Sequence, residues 1–225
     1  MTKSNAIASN AESNGGSESI KIRRSDRVFI VGKTGSGKTT LATTLLARLP
    51  WVVVLDPKHQ FTFDQAGNRR SDILITKSLA EADKHDDPTP IIYRPDVREA
   101  KAGCEDFWEW IWLRENTIVY VDEVTSVSPT VNMPYGYQRA IQQGRGKNIG
   151  VWSATQRPAR IPTNLLTEAE HVFAFELRAL NDLKRMAEYT DPIIIDERVK
   201  GFEFYYYSVR NKDVLKLNKD ALKLR

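Results

Sequence analysis

The sequence of 225 residues predicts an α/β fold in which a mostly parallel central sheet is flanked by helices. Short apolar runs of strand length alternate with longer amphipathic segments of helical length, which is the pattern of consecutive βαβ units. A glycine-rich turn also joins the first clear strand directly to a helix. A chain of this length buries most of the surface that its unfolded form exposes, so one domain with a modest extension is expected.

Residues 1–19 differ in composition from the rest of the chain. They are rich in Ser, Asn, Ala and Gly and contain almost no large apolar side chains. Such a segment cannot offset the entropy that it would lose on ordering. We therefore predict a disordered tail over residues 1–19 and a single folded domain over residues 20–225.

The elements of that domain follow from local patterns. A strand is predicted over residues 27–31 and a helix over 39–49, because Pro50 ends the helical pattern. Further apolar runs predict strands at 51–55, 73–76, 91–94, 117–121, 149–154 and 171–176. Apolar and aromatic residues spaced by three and four predict one helix over 97–115. The runs 193–195, 202–209 and 214–217 predict a C-terminal β-hairpin or edge strands.

The turn between the first strand and the first helix has the spacing of a phosphate-binding loop, the Walker A pattern. Glycines at three of its positions allow backbone amides to point at the β- and γ-phosphates of a nucleotide, and the helix that follows adds its positive end. Lys38 supplies a cation and Thr39 a hydroxyl for Mg²⁺. The sequence therefore predicts ATP and Mg²⁺ as ligands and a P-loop NTPase fold of the RecA/ASCE type. The loop consists of Gly32, Lys33, Thr34, Gly35, Ser36, Gly37, Lys38 and Thr39.

Two adjacent carboxylates, Asp122 and Glu123, follow the apolar run 117–121, which is the Walker B pattern. A buried strand at this place would deliver Asp122 to the Mg²⁺ ion beside Thr39. Glu123 could then polarise a water molecule for in-line attack on the γ-phosphate. These residues predict an enzyme that hydrolyses ATP.

A third polar strand end lies at Thr155 and Gln156, after the run 149–154. Either side chain could contact the γ-phosphate or the attacking water and so report whether ATP is intact. A polar strand end alone is more often a plain turn. The functional interpretation of Thr155 and Gln156 therefore depends on the presence of the loop at 32–39 and of the acidic pair.

These motifs together resemble the FtsK-HerA superfamily of ring-forming DNA motors, and most of all the small genome-packaging ATPases of viruses with double-stranded DNA. The resemblance spans residues 27–189. Its parts are the loop at 32–39, residues 54–58, Asp122-Glu123, residues 144–146 and residues 154–158, of which the last are the most specific to the family.

The resemblance implies a homo-oligomeric, hexameric ring that binds ATP between subunits and moves double-stranded DNA through its channel, with a capsid or portal protein as a further partner. It also implies an arginine that acts on the neighbouring subunit. Arg145 has the expected place before the strand that leads to Gln156, and Arg139 and Arg157 are rival candidates. Asp56 and Lys58 match the family too, either as an ion pair that shapes the ATP site or in catalysis.

Composition limits the partners and the cellular location that can be expected. A formal net charge of +4 is compatible with nucleic acid binding but does not establish it. The longest apolar runs are far shorter than the roughly 20 residues that cross a bilayer, so no membrane span is predicted. One cysteine cannot form an internal disulfide. We expect the protein in the cytoplasm, that of the host if the protein is viral, or with the virion.

Two other functions fit parts of these patterns. A conjugation, secretion or filamentous-phage extrusion ATPase shares the motor residues but normally carries a membrane anchor. A small P-loop kinase shares the phosphate loop, but it needs an arginine-bearing lid and an acceptor pocket. Glu123 and Gln156 favour hydrolysis over transfer to a second substrate.

Overall fold

The computed structural model describes residues 7–13, 16–66, 72–129, 131–210, 212, 214–218 and 223–224. The strands are β1 (Ile7–Ser13), β2 (Gly16–Ile22), β3 (Arg27–Val31), β4 (Val52–Leu55), β5 (Leu74–Thr76), β6 (Ile91–Tyr93), β7 (Ile118–Asp122), β8 (Gly150–Thr155), β9 (His171–Phe175), β10 (Glu203–Ser208), β11 (Val214–Asn218) and β12 (Lys223–Leu224). The helices are α1 (Lys38–Leu46), α2 (Leu79–Asp83), α3 (Val97–Lys101), α4 (Glu105–Arg114), α5 (Tyr135–Gln143), α6 (Asn164–Thr167), α7 (Leu180–Tyr189) and α8 (Ile193–Asp196).

The main sheet has the strand order β11-β10-β9-β3-β8-β7-β4-β6-β5. All strands from β9 to β5 in this order pair in parallel, whereas β10 and β11 add antiparallel strands at one side. This arrangement confirms the predicted α/β fold with a mostly parallel sheet. The strands predicted before residue 177 are found to within about one residue at either end, which is the usual uncertainty of element bounds.

Both faces of the sheet are buried, and the core consists of two clusters. Alternate residues of β4 divide between them: Val53 and Leu55 belong to one cluster, Val52 and Val54 to the other. A strand covered on both faces needs apolar side chains at every position, which explains the unbroken apolar run 52–55. On one face, Trp108 of α4 stacks on Tyr137 of α5 with ring centroids 4.4 Å apart.

The register of the central strands decides where the polar strand ends meet. β8 lies between β3 and β7, with Val31 paired to Thr155 and Asp122 paired to Ala154. The residues that directly follow these three parallel strands therefore lie side by side at one edge of the sheet. The carboxyl ends of strands are the usual place for ligands in open α/β sheets.

The predicted helix over 97–115 is wrong in one respect, because two helices, α3 and α4, occupy this range. Gly103 and Cys104 between them have positive φ angles of 89° and 56°. A Cβ atom at Gly103 would lie 2.5 Å from Cγ of Pro134. The chain thus turns sharply where Pro134 packs against it, so the aromatic stripe from Phe107 onward belongs to α4 alone.

The C-terminal prediction is confirmed for two of its three segments. β10 and β11 pair antiparallel at the edge of the sheet, and Phe204, Tyr205 and Tyr206 of β10 are buried. The run 193–195 is not a strand, however, because residues Ile193–Asp196 form the short helix α8. Their neighbour Asp191 accepts a hydrogen bond from the backbone of Ile193 at 2.8 Å, which starts a helical turn.

In the N-terminal segment, where a disordered tail over 1–19 is predicted, the structure describes two strands. β1 and β2 pair antiparallel, and β12 pairs with β1, so a three-stranded sheet contains parts of both chain ends. Residues 1–6 and 14–15 lie outside the described residues. The domain boundary at residue 20 stays a prediction. In the parts of the chain that the structure describes, no helix has the length and apolar character that crossing a bilayer requires.

Candidate nucleotide site

The turn between β3 and α1 depends on glycine at specific places. A Cβ atom on Gly32 would lie 2.5 Å from Cβ of Phe175 and 2.6 Å from Oγ of Ser36, so only glycine fits there without a shift. Gly35 and Gly37 have φ angles of +76° and +105°, in the left-handed region that L side chains rarely adopt. The loop therefore has the contour that leads backbone amides around a phosphate group.

Lys38, the first residue of α1, covers this loop. Its Nζ donates hydrogen bonds to the carbonyl oxygens of Gly32 at 2.7 Å and Lys33 at 3.0 Å. Burial lowers the pKa of the Lys38 ammonium, while the nearby carboxylates of Glu123 and Asp122 oppose that shift. The loop, the lysine and the acidic pair thus form one site.

The donors of this loop fit the phosphates of ATP. The Lys38 ammonium is one such donor, and the buried hydroxyl of Ser36 has no hydrogen-bond partner among the described residues. A buried polar atom without a partner is costly unless a ligand completes it. The loop also opens directly onto the amino end of α1, where an anion is favoured.

Asp122 is the last residue of β7 and largely buried. Burial raises the pKa of its carboxyl group, whereas the hydroxyl of Tyr120, which donates to Oδ1 of Asp122 at 3.0 Å, favours the ionised form. A buried carboxylate with few donors is suited to a bound cation, which would replace the lost solvation. Asp122 and the hydroxyl of Thr39 are the residues that could hold Mg²⁺.

Glu123 lies one residue further, with only 7% of its surface exposed and a positive φ of 80°. Left-handed backbone at a non-glycine residue costs of order 1–3 kcal/mol and clusters at functional sites. Three side chains hold the carboxylate: Oε1 accepts hydrogen bonds from Thr125 at 2.8 Å and Thr155 at 2.9 Å, and the Nζ of Lys58 lies 3.4 Å from Oε2.

Gln156 contacts the phosphate loop directly. Its Oε1 accepts a hydrogen bond from the hydroxyl of Thr34 at 2.7 Å, and the backbone N–H of Gly32 donates to the carbonyl oxygen of Thr155 at 3.3 Å. The end of β8 is therefore bonded to the loop through both side chain and backbone. The side chain of Gln156 therefore contacts the loop at which phosphate binding is predicted.

Solved structures share this architecture. The genome packaging NTPase B204 from Sulfolobus turreted icosahedral virus 2, in complex with AMPPCP, matches with a TM-score of 0.66 and 17% identity, over 88% of this chain and 99% of that chain. The same protein in complex with ATP-gammaS matches with a TM-score of 0.68 and 18% identity, over 88% and 98%. The chain has the fold of a P-loop ATPase. No family model matches it, and no curated protein does.

Two larger P-loop ATPases are similar over part of their length. The pCW3 conjugation coupling protein TcpA matches with a TM-score of 0.61 and 12% identity, over 97% of this chain and 66% of that chain. The cytoplasmic domain of the Type VII secretion ATPase EccC from Thermomonospora curvata matches with a TM-score of 0.57 and 12% identity, over 97% and 29%. At these identities the neighbours establish the fold.

Arg145 lies at the opposite edge of this P-loop fold. It belongs to the turn that precedes β8 and forms an ion pair with Glu170, the residue before β9. Glu170 also accepts a hydrogen bond from the backbone of Arg27, the first residue of β3, at 2.5 Å. All three mark the amino ends of parallel strands, whereas the phosphate loop and Glu123 follow the carboxyl ends. The structure does not bring Arg145 together with the nucleotide site of its own chain.

The two rival arginines lie elsewhere. Arg139 is on α5, where its guanidinium covers the ring of Trp112 at 4.4 Å and pairs with Glu109 at 2.8 Å. Arg157 follows Gln156 at the nucleotide edge, and its Nε donates to Asp182 at 2.9 Å. It lines a cavity of about 310 Å³ beside the phosphate loop, together with Lys33, Thr34, Gln156, Leu177, Arg178, Ala179 and Asp182.

Asp56 and Lys58 do not pair with each other. Asp56 is fully buried after β4 and accepts hydrogen bonds from the backbone of Gln60 and Phe61 and from Arg94. It therefore shapes the turn that carries Lys58. Lys58 instead faces Glu123, a contact that sequence patterns did not reveal because the two residues are far apart along the chain. Thr125, which follows the acidic pair by two residues, was likewise missed.

Proposed function

We propose that this chain is an ATP-hydrolysing motor that translocates double-stranded DNA and packages a viral genome into its capsid. The observation that carries the proposal is the meeting of the phosphate loop, Asp122 and Glu123 at one sheet edge. This site lies on a fold shared with a viral genome-packaging NTPase over 99% of that protein's length.

The residues of the site have distinct roles in hydrolysis. The amides of the loop and the Lys38 ammonium bind the β- and γ-phosphates. Thr39 and Asp122 would hold Mg²⁺, which would neutralise phosphate charge. Glu123 accepts the proton of the attacking water, and Gln156 contacts the γ-phosphate or that water.

The remaining roles need more than one subunit. In the proposed homo-hexameric ring, Arg145 leaves Glu170 and stabilises the charge that develops on the transferred phosphoryl group of the neighbour. The ring encloses double-stranded DNA, and a capsid or portal protein provides the docking surface. The motor would act in the host cytoplasm and at the virion.

A second candidate is a motor for conjugation or secretion, which the similarity to TcpA and EccC favours. This chain matches 66% and 29% of those two proteins, against 99% of the packaging NTPase, so packaging remains the first proposal. A small kinase is disfavoured, because Glu123 is held by three donors beside the phosphate loop and can serve a water molecule.

ATP turnover measured with and without DNA tests the proposal. We expect Mg²⁺-dependent phosphate release that rises when linear duplex DNA is added, and no such rise in Glu123→Gln. Stimulation by single-stranded DNA alone would contradict a double-stranded track. Transfer of the phosphoryl group to an added nucleoside, without release of free phosphate, would identify a kinase instead.

A further inference from the structure

The carboxylate of Glu123 is held asymmetrically. Its Oε1 accepts two hydroxyl hydrogen bonds, from Thr125 at 2.8 Å and Thr155 at 2.9 Å. Among the described residues, the partner of Oε2 is the more distant ammonium of Lys58 at 3.4 Å. We propose that Thr155 is a positioning residue that fixes Glu123 for hydrolysis through Oε1 and leaves Oε2 to accept the proton of the attacking water. This inference rests on the proposed role of Glu123 as the base.

The direction of the Thr155 hydrogen bond follows from its second partner. The hydroxyl oxygen of Thr155 accepts a hydrogen bond from the backbone N–H of Arg157 at 3.2 Å. A hydroxyl has one hydrogen, and an ionised carboxylate can only accept. The single hydrogen of Thr155 therefore points to Oε1 of Glu123, and Thr155 itself is fully buried.

Thr125 and Thr155 hold the same oxygen from two different elements. Thr125 lies in the turn after β7, close to Glu123 in the chain, whereas Thr155 is the last residue of β8. Of the hydrogen bonds to Glu123 among the described residues, the one from Thr155 connects its side chain to another strand. Glu123 follows β7 and has a left-handed backbone with φ of 80°. The hydrogen bond from Thr155 to Glu123 spans the ends of β7 and β8.

Thr155 also connects this carboxylate to the phosphate loop. Its carbonyl oxygen accepts the hydrogen bond of the Gly32 backbone at 3.3 Å, and the adjacent Gln156 accepts from Thr34 at 2.7 Å. Thr155 therefore links the Glu123 carboxylate to the amides that would bind phosphate. An error of about 1 Å in the position of a catalytic group can cost a hundredfold in rate.

The test compares Thr155→Val, which keeps the branched shape and removes the hydroxyl, with Thr155→Ser, which keeps the hydroxyl. We expect single-turnover ATP cleavage to slow by about tenfold to a hundredfold in Thr155→Val, with nucleotide affinity unchanged. Thr155→Ser should cleave near the wild-type rate. Thr155→Ala, which removes the hydroxyl without placing a methyl group beside Glu123, should be as slow as Thr155→Val and serves if the latter does not fold.

A second background separates positioning from a general structural role. In Glu123→Gln the base is already absent, so adding Thr155→Val should cause no further slowing, whereas structural damage would slow both backgrounds alike. Equal rates for Thr155→Val, Thr155→Ala and wild type would overturn the inference while Glu123→Gln stays slow. If Glu123→Gln itself cleaves ATP at the wild-type rate, the proposed function fails instead.

Discussion

Two inactive variants of this chain should restore each other's activity when they are mixed. Arg145 precedes β8 and Glu123 lies beside its carboxyl end, so the strand Gly150–Thr155 separates them. At about 3.3 Å per residue, its six residues span roughly 20 Å. An arginine at one end cannot serve phosphates at the other end within the same chain. If Arg145 is catalytic, it acts on a neighbouring subunit.

The expected rates follow from counting interfaces. Arg145→Ala retains Glu123 but cannot serve its neighbour, and Glu123→Gln retains Arg145 but lacks the base. A trans-acting arginine is worth about 10³–10⁵ in rate and a general base about 10²–10⁴, so each variant alone should be nearly inactive. In a random equimolar mixture, about a quarter of the interfaces combine an intact Glu123 with an intact Arg145.

A matched mixture provides a reference with the same fraction of intact interfaces. Wild type mixed equally with the double variant, Arg145→Ala and Glu123→Gln in one chain, also leaves about a quarter of the interfaces intact if the arginine acts in trans. The two mixtures should therefore have equal steady-state ATPase rates if each interface acts independently. Coupling between adjacent interfaces would separate the two rates, because only the mixture with wild type can contain adjacent intact interfaces. Both should be measured with and without duplex DNA, since a ring may assemble only around its track.

Loss of folding would not explain a low ATPase rate in Arg145→Ala. The side chain of Arg145 is 59% exposed, and surface ion pairs such as the one with Glu170 contribute at most about 1 kcal/mol. Glu170 also keeps its hydrogen bond from the backbone of Arg27. Thermal unfolding of Arg145→Ala should therefore resemble that of wild type. Arg139→Ala and Arg157→Ala, the rival arginines, should be mixed in the same way.

Three outcomes would refute the reasoning. Wild-type turnover in Arg145→Ala would make Arg145 an ordinary surface residue. A slow Arg145→Ala that Glu123→Gln does not rescue would contradict action in trans. Arg145→Ala and Arg157→Ala should each be mixed with Glu123→Gln. If only the mixture with Arg157→Ala regains ATPase activity, Arg157, at the nucleotide edge, is the arginine that acts in trans.

Three further predictions concern single chains. Lys38→Ala should weaken ATP binding about tenfold to a hundredfold in a titration, because charge-assisted hydrogen bonds contribute about 1.5–3 kcal/mol. The control variant Lys33→Ala removes the ion pair with Glu176 and should bind ATP normally. Glu123→Gln should bind Mg-ATP normally but cleave it about a hundredfold or more slowly in single turnover, and a collapse of affinity at an unchanged rate would make it a ligand instead. Burial raises the pKa of Asp122 above its ordinary value. At pH values between the ordinary and the raised pKa, the folded state therefore binds more protons than the unfolded state. The stability of the nucleotide-free protein falls as the pH rises through that window. Asp122→Asn should therefore unfold at a higher temperature than wild type at pH 7 while losing Mg²⁺-dependent binding, and an unchanged or lower unfolding temperature would contradict the assignment.

The sheet was predictable because each strand carries its own signal. An unbroken apolar run such as Val52–Leu55 indicates burial on both faces, and the glycine-rich loop marks the strand and helix on either side. The break between α3 and α4 at Gly103 and Cys104 was not predictable, because the helical spacing of apolar residues continues across it. Pro134, which packs against the break, lies 31 residues away, so that contact leaves no local pattern.

The site was predictable to the extent that its residues follow strand ends. Lys38, Asp122 and Glu123 stand in fixed positions relative to apolar strands, so their meeting follows from a parallel sheet. The side chains that hold Glu123 were harder to find. Lys58 lies in a turn whose shape depends on Asp56, and only the folded structure shows that Asp56 is occupied by backbone amides and Arg94.

The direction of the parallel strands also explains why one chain would be incomplete as a catalyst. Every residue that follows a central strand lies at the nucleotide edge, and every residue that precedes one lies at the opposite edge. Glu123 and Gln156 belong to the first group, Arg145 and its partner Glu170 to the second. Contact between the two groups requires the amino edge of one subunit to face the carboxyl edge of the next, which is a head-to-tail interface. Such interfaces close into rings when the rotation between subunits allows it, and the proposed motor needs a ring for its second purpose as well, to enclose DNA.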